Sequence, residues 1–87
     1  MAKTKILKAV EQIRELVESL GPPIKFRKLN GIVAALEIQV EDGKFQKHAV
    51  ARLCEAILAT AELYTIDEDR ESTLEELACS VIDLVER

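Results

Sequence analysis

Apolar residues recur along this chain at the alternating spacing of three and four residues that is typical of an amphipathic helix. The first such block predicts a helix from Lys3 to Leu20. Its seam is Ile6, Val10, Ile13, Val17 and Leu20. The helix is expected to end at Gly21, because glycine can take the left-handed conformation that follows a helix. Pro22 and Pro23 then prevent the helix from continuing.

The block from Phe45 to Tyr64 is apolar on most of its circumference. Its main seam is Val50, Cys54, Ile57, Ala61 and Tyr64. Leu53 and Leu58 widen that seam on either side. A helix of this kind is normally buried on several sides, so we predict that it is the central helix of the domain.

The last block follows a loop rich in acidic residues over positions 65–72. Two overlapping capping boxes, Ser72 with Glu75 and Thr73 with Glu76, predict that the helix starts there. Its apolar residues fill one continuous arc of the helical wheel: Leu74, Leu77, Ala78, Val81, Ile82, Leu84 and Val85.

Residues 24–41 are compatible with two structures. Asn30-Gly31 between two apolar runs is typical of a β-hairpin turn. That pairing, however, would put Lys25 and Arg27 on the apolar face, which is the wrong register for a strand.

The helical alternative gives residues 24–41 a regular seam of Leu29, Val33, Leu36 and Val40. Gly31 would cost such a helix about 1 kcal/mol relative to alanine. Asn30 would otherwise cap a shorter helix that starts at Gly31. We predict that residues 24–41 are largely helical, with a three-stranded meander over residues 24–48 as the alternative.

The predicted fold is therefore all-α: one domain, residues 1–87, of four helices joined by short loops and packed roughly antiparallel. The only aromatic residues are Phe26, Phe45 and Tyr64, so the core is expected to be aliphatic. If the meander formed instead, the fold would be α+β.

Composition indicates the cellular compartment in which we expect the protein. Two cysteines, Cys54 and Cys79, are too few for a disulfide scaffold, and we expect Cys54 to be buried and unreactive. The N-terminal lysines precede an amphipathic segment, not the apolar run of a signal peptide. No stretch has the roughly 20 apolar residues of a membrane span. We therefore expect a cytoplasmic protein.

The sequence offers little that is typical of an enzyme. The single histidine, His48, has no carboxylate one helical turn before it to orient the imidazole, and no nucleophile within helical reach. Zinc-binding Cys and His spacings are absent, and so is a glycine-rich phosphate loop. We predict a non-enzymatic protein with no cofactor, no metal site and no small-molecule substrate.

Charge is unevenly distributed, with a balance of +4 over residues 1–52 and −8 over residues 53–87. The basic candidates for contacting nucleic acid are Lys25, Arg27, Lys28, Lys44, Lys47 and Arg52. If the second and third helices formed a helix-turn-helix, the third would present its basic first turns to DNA. A nucleic-acid-binding regulator is therefore the alternative function.

The helices also carry more apolar residues than one seam each requires. The residues outside the main arcs that we expect at an interface are Leu7, Ile38, Phe45 and Leu63. Large exposed apolar patches tend to mark interfaces, and a two-fold dimer buries such a patch on both chains. The favoured function is a small protein-protein interaction or oligomerisation module, with a homodimer as the expected state.

Overall fold

A computed structural model describes residues 2–42 and 45–86 of the chain. They form four helices, α1 (Ala2–Ser19), α2 (Arg27–Glu41), α3 (Lys47–Ala61) and α4 (Glu68–Glu86). The predicted all-α fold is confirmed, and the residues described between 24 and 48 contain no strand. The alternative of a three-stranded meander is therefore wrong.

The helices are arranged in a ring in chain order. Each one packs against the helices before and after it, and α4 closes the ring against α1. Among the described residues, no Cα atom of one helix lies within 8 Å of a Cα atom of the diagonally opposite helix. α1 and α2 run in opposite directions, because the short connection over residues 20–26 keeps the end of α1 close to the start of α2 and the two helices then pack against each other. An ion pair between Arg14 of α1 and Glu37 of α2 also joins them. Phe26, just before α2, packs against Tyr64, just after α3, with ring centroids 4.9 Å apart and ring planes tilted by 41°. The start of α2 therefore lies beside the end of α3, and these two helices are also antiparallel.

This ring corrects the prediction that the third helix is central. α3 has two neighbours, as do the other helices. Leu53 and Leu58, beside its seam, are only half-buried at the edge of the core. The wide apolar surface of α3 therefore reflects flanking residues that close the sides of the bundle, and not burial on every face.

The core is one aliphatic cluster built from the predicted seams. In α2 the buried residues are Leu29, Val33, Leu36 and Val40. In α3 they are Val50, Cys54, Ile57 and Ala61. In α4 they are Leu74, Ala78, Val81 and Val85. Among the described residues, no polar or charged side chain is buried. Apolar burial therefore supplies the main driving force of this fold.

The connection between α1 and α2 is a compact turn and not the start of a helix. Gly21 has φ = +154°, which is positive but far from the left-handed helical value that we predicted. The N–H groups of Lys25 and Phe26 then donate to the carbonyl oxygens of Pro22 and Pro23, at 3.0 and 3.2 Å. α2 consequently begins at Arg27, three residues later than the sequence indicated.

Asn30 lies inside α2 and does not cap a helix starting at Gly31. Its backbone N–H donates to the Phe26 carbonyl at 2.8 Å, and its side-chain amide donates to the same oxygen at 3.0 Å. The Asn30-Gly31 pair therefore continues the helix. Burial of the α2 seam on both sides of the pair outweighs the preference of these two residues for a turn.

The start of α4 also differs from the prediction. The helix begins at Glu68, and the Asp67 carboxylate accepts the backbone N–H of Arg70 at 3.1 Å. Thr73 lies within the helix, where its hydroxyl donates to the Asp69 carbonyl at 2.9 Å. The residues expected to form an acidic loop instead stabilise the positive end of the helix dipole, and the predicted capping boxes are wrong.

None of the described helices is both long enough and apolar enough to cross a bilayer.

Two glycines provide a matched pair of stability tests. Replacing Gly31 with alanine should raise the free energy of unfolding by about 1 kcal/mol, because the residue is inside a helix. A Cβ at this position would meet no atom within 4 Å. Gly21→Ala should instead lower it, because the positive φ is strained for alanine and the Cβ would lie 3.1 Å from a Phe26 ring carbon. Denaturant unfolding followed by circular dichroism, at low protein concentration, measures both changes; a loss of stability in Gly31→Ala would contradict this account of α2.

The corrected start of α4 gives a second test. Asp67→Ala should destabilise the protein by about 1 kcal/mol, as the loss of a helix N-cap does. Ser72→Ala is the matched control, since Ser72 is exposed inside the helix, and it should have little effect. If Ser72→Ala were the more damaging change in chemical unfolding, the helix would start where the capping boxes predicted.

Candidate functional site

The basic residues proposed to contact nucleic acid lie in two separate groups. Lys25, Arg27 and Lys28 are exposed at the start of α2, and Lys47 and Arg52 are exposed at the start of α3. α2 and α3 run in opposite directions, and α2 has 15 residues. At 1.5 Å per residue, the two groups are therefore roughly 20 Å apart, at opposite ends of the bundle. Lys44 lies outside the described residues.

A cleft of about 230 Å³ lies between α1 and α2. Its lining is Leu7, Val10, Glu11, Arg14, Glu37, Val40 and Glu41. Arg14 lies in the wall of the cleft and forms two ion pairs. Its Nη1 is 3.4 Å from Glu37 Oε2, and its Nε is 3.6 Å from Glu18 Oε1. Leu7, one of the predicted interface residues, is half-buried in this cleft. Its side chain is thus partly used within the chain.

The other predicted interface residues have different environments. Phe45 is half-buried against the core, whereas Ile38 is 68% exposed and Leu63 is 73% exposed. Ile38 lies in the last turns of α2, and Leu63 follows the C-terminal end of α3. Because these helices are antiparallel, Ile38 and Leu63 lie towards opposite ends of the bundle, and the structure does not bring the four residues into one patch.

Ile24 is an exposed apolar residue that the sequence reasoning did not single out. It is 81% exposed and lies in the turn before α2. Ile24 lies five residues before Leu29, the first residue of the predicted seam. This spacing puts Ile24 on a different side of the predicted helix, and it is the signal that would have found the residue.

The side of α2 that faces away from the core has a second regular pattern. We call Arg27, Gly31, Ala34 and Ile38 the α2 outer face. All four are exposed, and their spacing of four, three and four residues places them in one row along the helix. Apolar or small residues occupy its middle, Lys28 flanks it near the start of the helix, and Glu41 and Asp42 are exposed at its end.

Cys54 is fully buried, as predicted, whereas Cys79 is exposed; both thiols are free. Burial, with smaller effects from the nearby Cys79 and Glu55, raises the pKa of Cys54 from 9.0 to about 12. The reactive form of a cysteine is the thiolate. Cys54 is therefore protonated and shielded at neutral pH, and it acts as a small apolar residue of the core.

The remaining polar residues do not converge on one place. His48 is exposed in the first turn of α3. Within the part of the chain that the structure describes, no group of three or more His, Cys, Asp or Glu side chains has an arrangement that could hold a metal ion. The surfaces that remain as candidates are thus the two basic groups, the cleft and the exposed apolar residues.

Comparisons of the chain with protein-family models, with curated proteins and with solved structures found no match.

The difference between the two thiols is directly testable. A thiol reagent applied to the native protein near neutral pH should modify Cys79 quickly and leave Cys54 intact until the chain unfolds, because Cys54 is buried and protonated. The Cys79→Ser variant should then show almost no fast labelling, which mass spectrometry would measure. Fast labelling of Cys54 in that variant would mean that the core seam of α3 opens readily.

Proposed function

We propose that this protein is a small, non-enzymatic interaction module that self-associates through exposed apolar side chains. The observation that carries the proposal is the exposure of three large aliphatic residues, Ile24, Ile38 and Leu63, on a chain that already has a complete aliphatic core. Burying such side chains against a second protein surface is favourable, because it removes apolar area from water.

The internal packing supports this interpretation. Each helix already buries its own seam, and no described side-chain polar atom is buried without a hydrogen-bond partner. The exposed aliphatic residues are therefore not needed to complete the bundle itself. A protein surface that accepts them gains binding energy without opening the fold.

The alternative, a nucleic-acid-binding regulator, draws less support from the geometry. Phosphate-driven binding needs cations close enough together to follow one backbone. The candidate cations that the structure describes instead lie at opposite ends of the bundle, and the acidic first turn of α4 lies at the same end as Lys25, Arg27 and Lys28. The two functions also differ in their salt dependence, since apolar docking persists in salt that weakens phosphate contacts.

Sedimentation over a wide range of protein concentration, at low and at roughly 1 M salt, tests the proposal. The mass should rise from the 9.7 kDa of one chain as concentration increases, and high salt should not abolish the rise. The triple variant Ile24→Glu, Ile38→Glu, Leu63→Glu should remain monomeric with unchanged circular dichroism.

Two results would contradict the proposal. One is a monomer at every concentration. The other is retention on heparin at physiological salt that disappears in Lys47→Glu, Arg52→Glu, because that result would favour the nucleic-acid alternative.

A further inference from the structure

We infer that two copies of this chain pair through the α2 outer face, with their α2 helices antiparallel and Ile38 of each copy seated over Gly31 of the other. This inference rests on the proposed function and assigns it a surface, a partner and an orientation. Three features of α2 lead to it: the position of Gly31, the exposure of Ile38 and the order of charges along the helix.

Gly31 is the first feature. It lies inside a 15-residue helix, where glycine costs about 1 kcal/mol relative to alanine. Its φ is not positive, and a Cβ would meet no described atom within 4 Å. Nothing within the described chain therefore requires a glycine. A missing side chain on an exposed helix face leaves a shallow depression that another helix can approach closely.

Ile38 is the second feature. It lies seven residues, or about two turns, after Gly31 on the same face and is 68% exposed. When two identical helices pack antiparallel about a two-fold axis between Ala34 and Ala35, position 38 of one lies opposite position 31 of the other. The largest apolar side chain of the face then meets the one position of the face that has no side chain, and it does so twice. Small residues at the axis allow the backbones to approach.

The order of charges is the third feature, and it selects a second copy in this orientation. α2 has Arg27 and Lys28 at its start and Glu41 and Asp42 at its end, and all four are exposed. The same two-fold axis places Arg27 opposite Asp42 of the second copy, and Lys28 opposite Glu41. No ion pair joins any of these four to another described residue of its own chain. A parallel pair would instead place like charges together.

The antiparallel arrangement also opposes the two helix dipoles favourably. The contact is small, because α2 is only about 22 Å long at 1.5 Å per residue. Small interfaces form weak, transient complexes. The dimer should therefore dissociate on dilution, and it must be studied over a range of concentrations.

Single substitutions locate the interface. Ile38→Glu should weaken self-association at least about tenfold, measured by sedimentation equilibrium. Ala59→Glu is the control, because Ala59 is exposed on α3 and lies off the α2 outer face, and it should leave the association unchanged. Gly31→Gln, which fills the depression, should also weaken it; circular dichroism confirms that each variant is folded.

A charge exchange tests the orientation. Lys28→Glu and Glu41→Lys should each weaken the dimer, because each creates two like-charge contacts across the axis. The double variant should restore it. If the double variant dimerised no more tightly than the single variant with the lower affinity, the antiparallel register would be wrong.

Cysteine cross-linking gives an independent measure, in a Cys79→Ser background. Ala34→Cys lies beside the axis and should form a disulfide-linked dimer on mild oxidation. Arg27→Cys should not, because its two copies would lie roughly 20 Å apart along antiparallel helices, far beyond disulfide reach. Cross-linking of Arg27→Cys alone would indicate a parallel pair and overturn the inference.

The outcomes separate this inference from the proposed function. If the wild-type chain associates, but Ile24→Glu or Leu63→Glu abolishes the association and Ile38→Glu does not, the α2 pairing is wrong and the interaction module stands. If the wild-type chain is monomeric at every concentration, both are wrong.

Discussion

The structure depends on the burial of four apolar seams against one another in a core that contains no described polar or charged side chain. Such a core has no internal hydrogen bonds that would fix one arrangement, so shape and helix periodicity must determine the packing. Each seam is only one residue wide in places, and residues such as Leu53 and Leu58 close the gaps at its sides. In the ring, all four seams are buried at once, although each helix packs against only two neighbours.

The ring also decides where charges lie. Because successive helices alternate in direction, the starts of α2 and α4 lie at one end of the bundle and the start of α3 lies at the other. The basic residues around Arg27 and the acidic residues around Glu68 therefore share an end but belong to diagonal helices. The strong charge asymmetry along the sequence becomes a corner-to-corner pattern in space, and not one basic face opposed to one acidic face.

The surface that we propose for self-association lies where local preference and the packed structure disagree. Gly31 is a poor helix residue in a well-packed helix, and Ile38 is a large aliphatic residue on the exposed side of that helix. Neither is explained by the bundle itself, whereas a second helix against the same face would use both. This contrasts with Cys54, whose raised pKa follows from its place in the core and needs no chemical role.

The sequence by itself determined the four helices and nearly every core residue, because a spacing of three and four residues fixes which side chains share a face. It also placed Ile38 outside the seam of α2. Only the tertiary structure decided that α3 is one of four equal helices, that α4 starts at Glu68, and that the basic groups lie apart. These features depend on how helices are arranged in space and on competition between alternative caps such as Asp67 and Ser72. Periodicity within one helix carries no information about either.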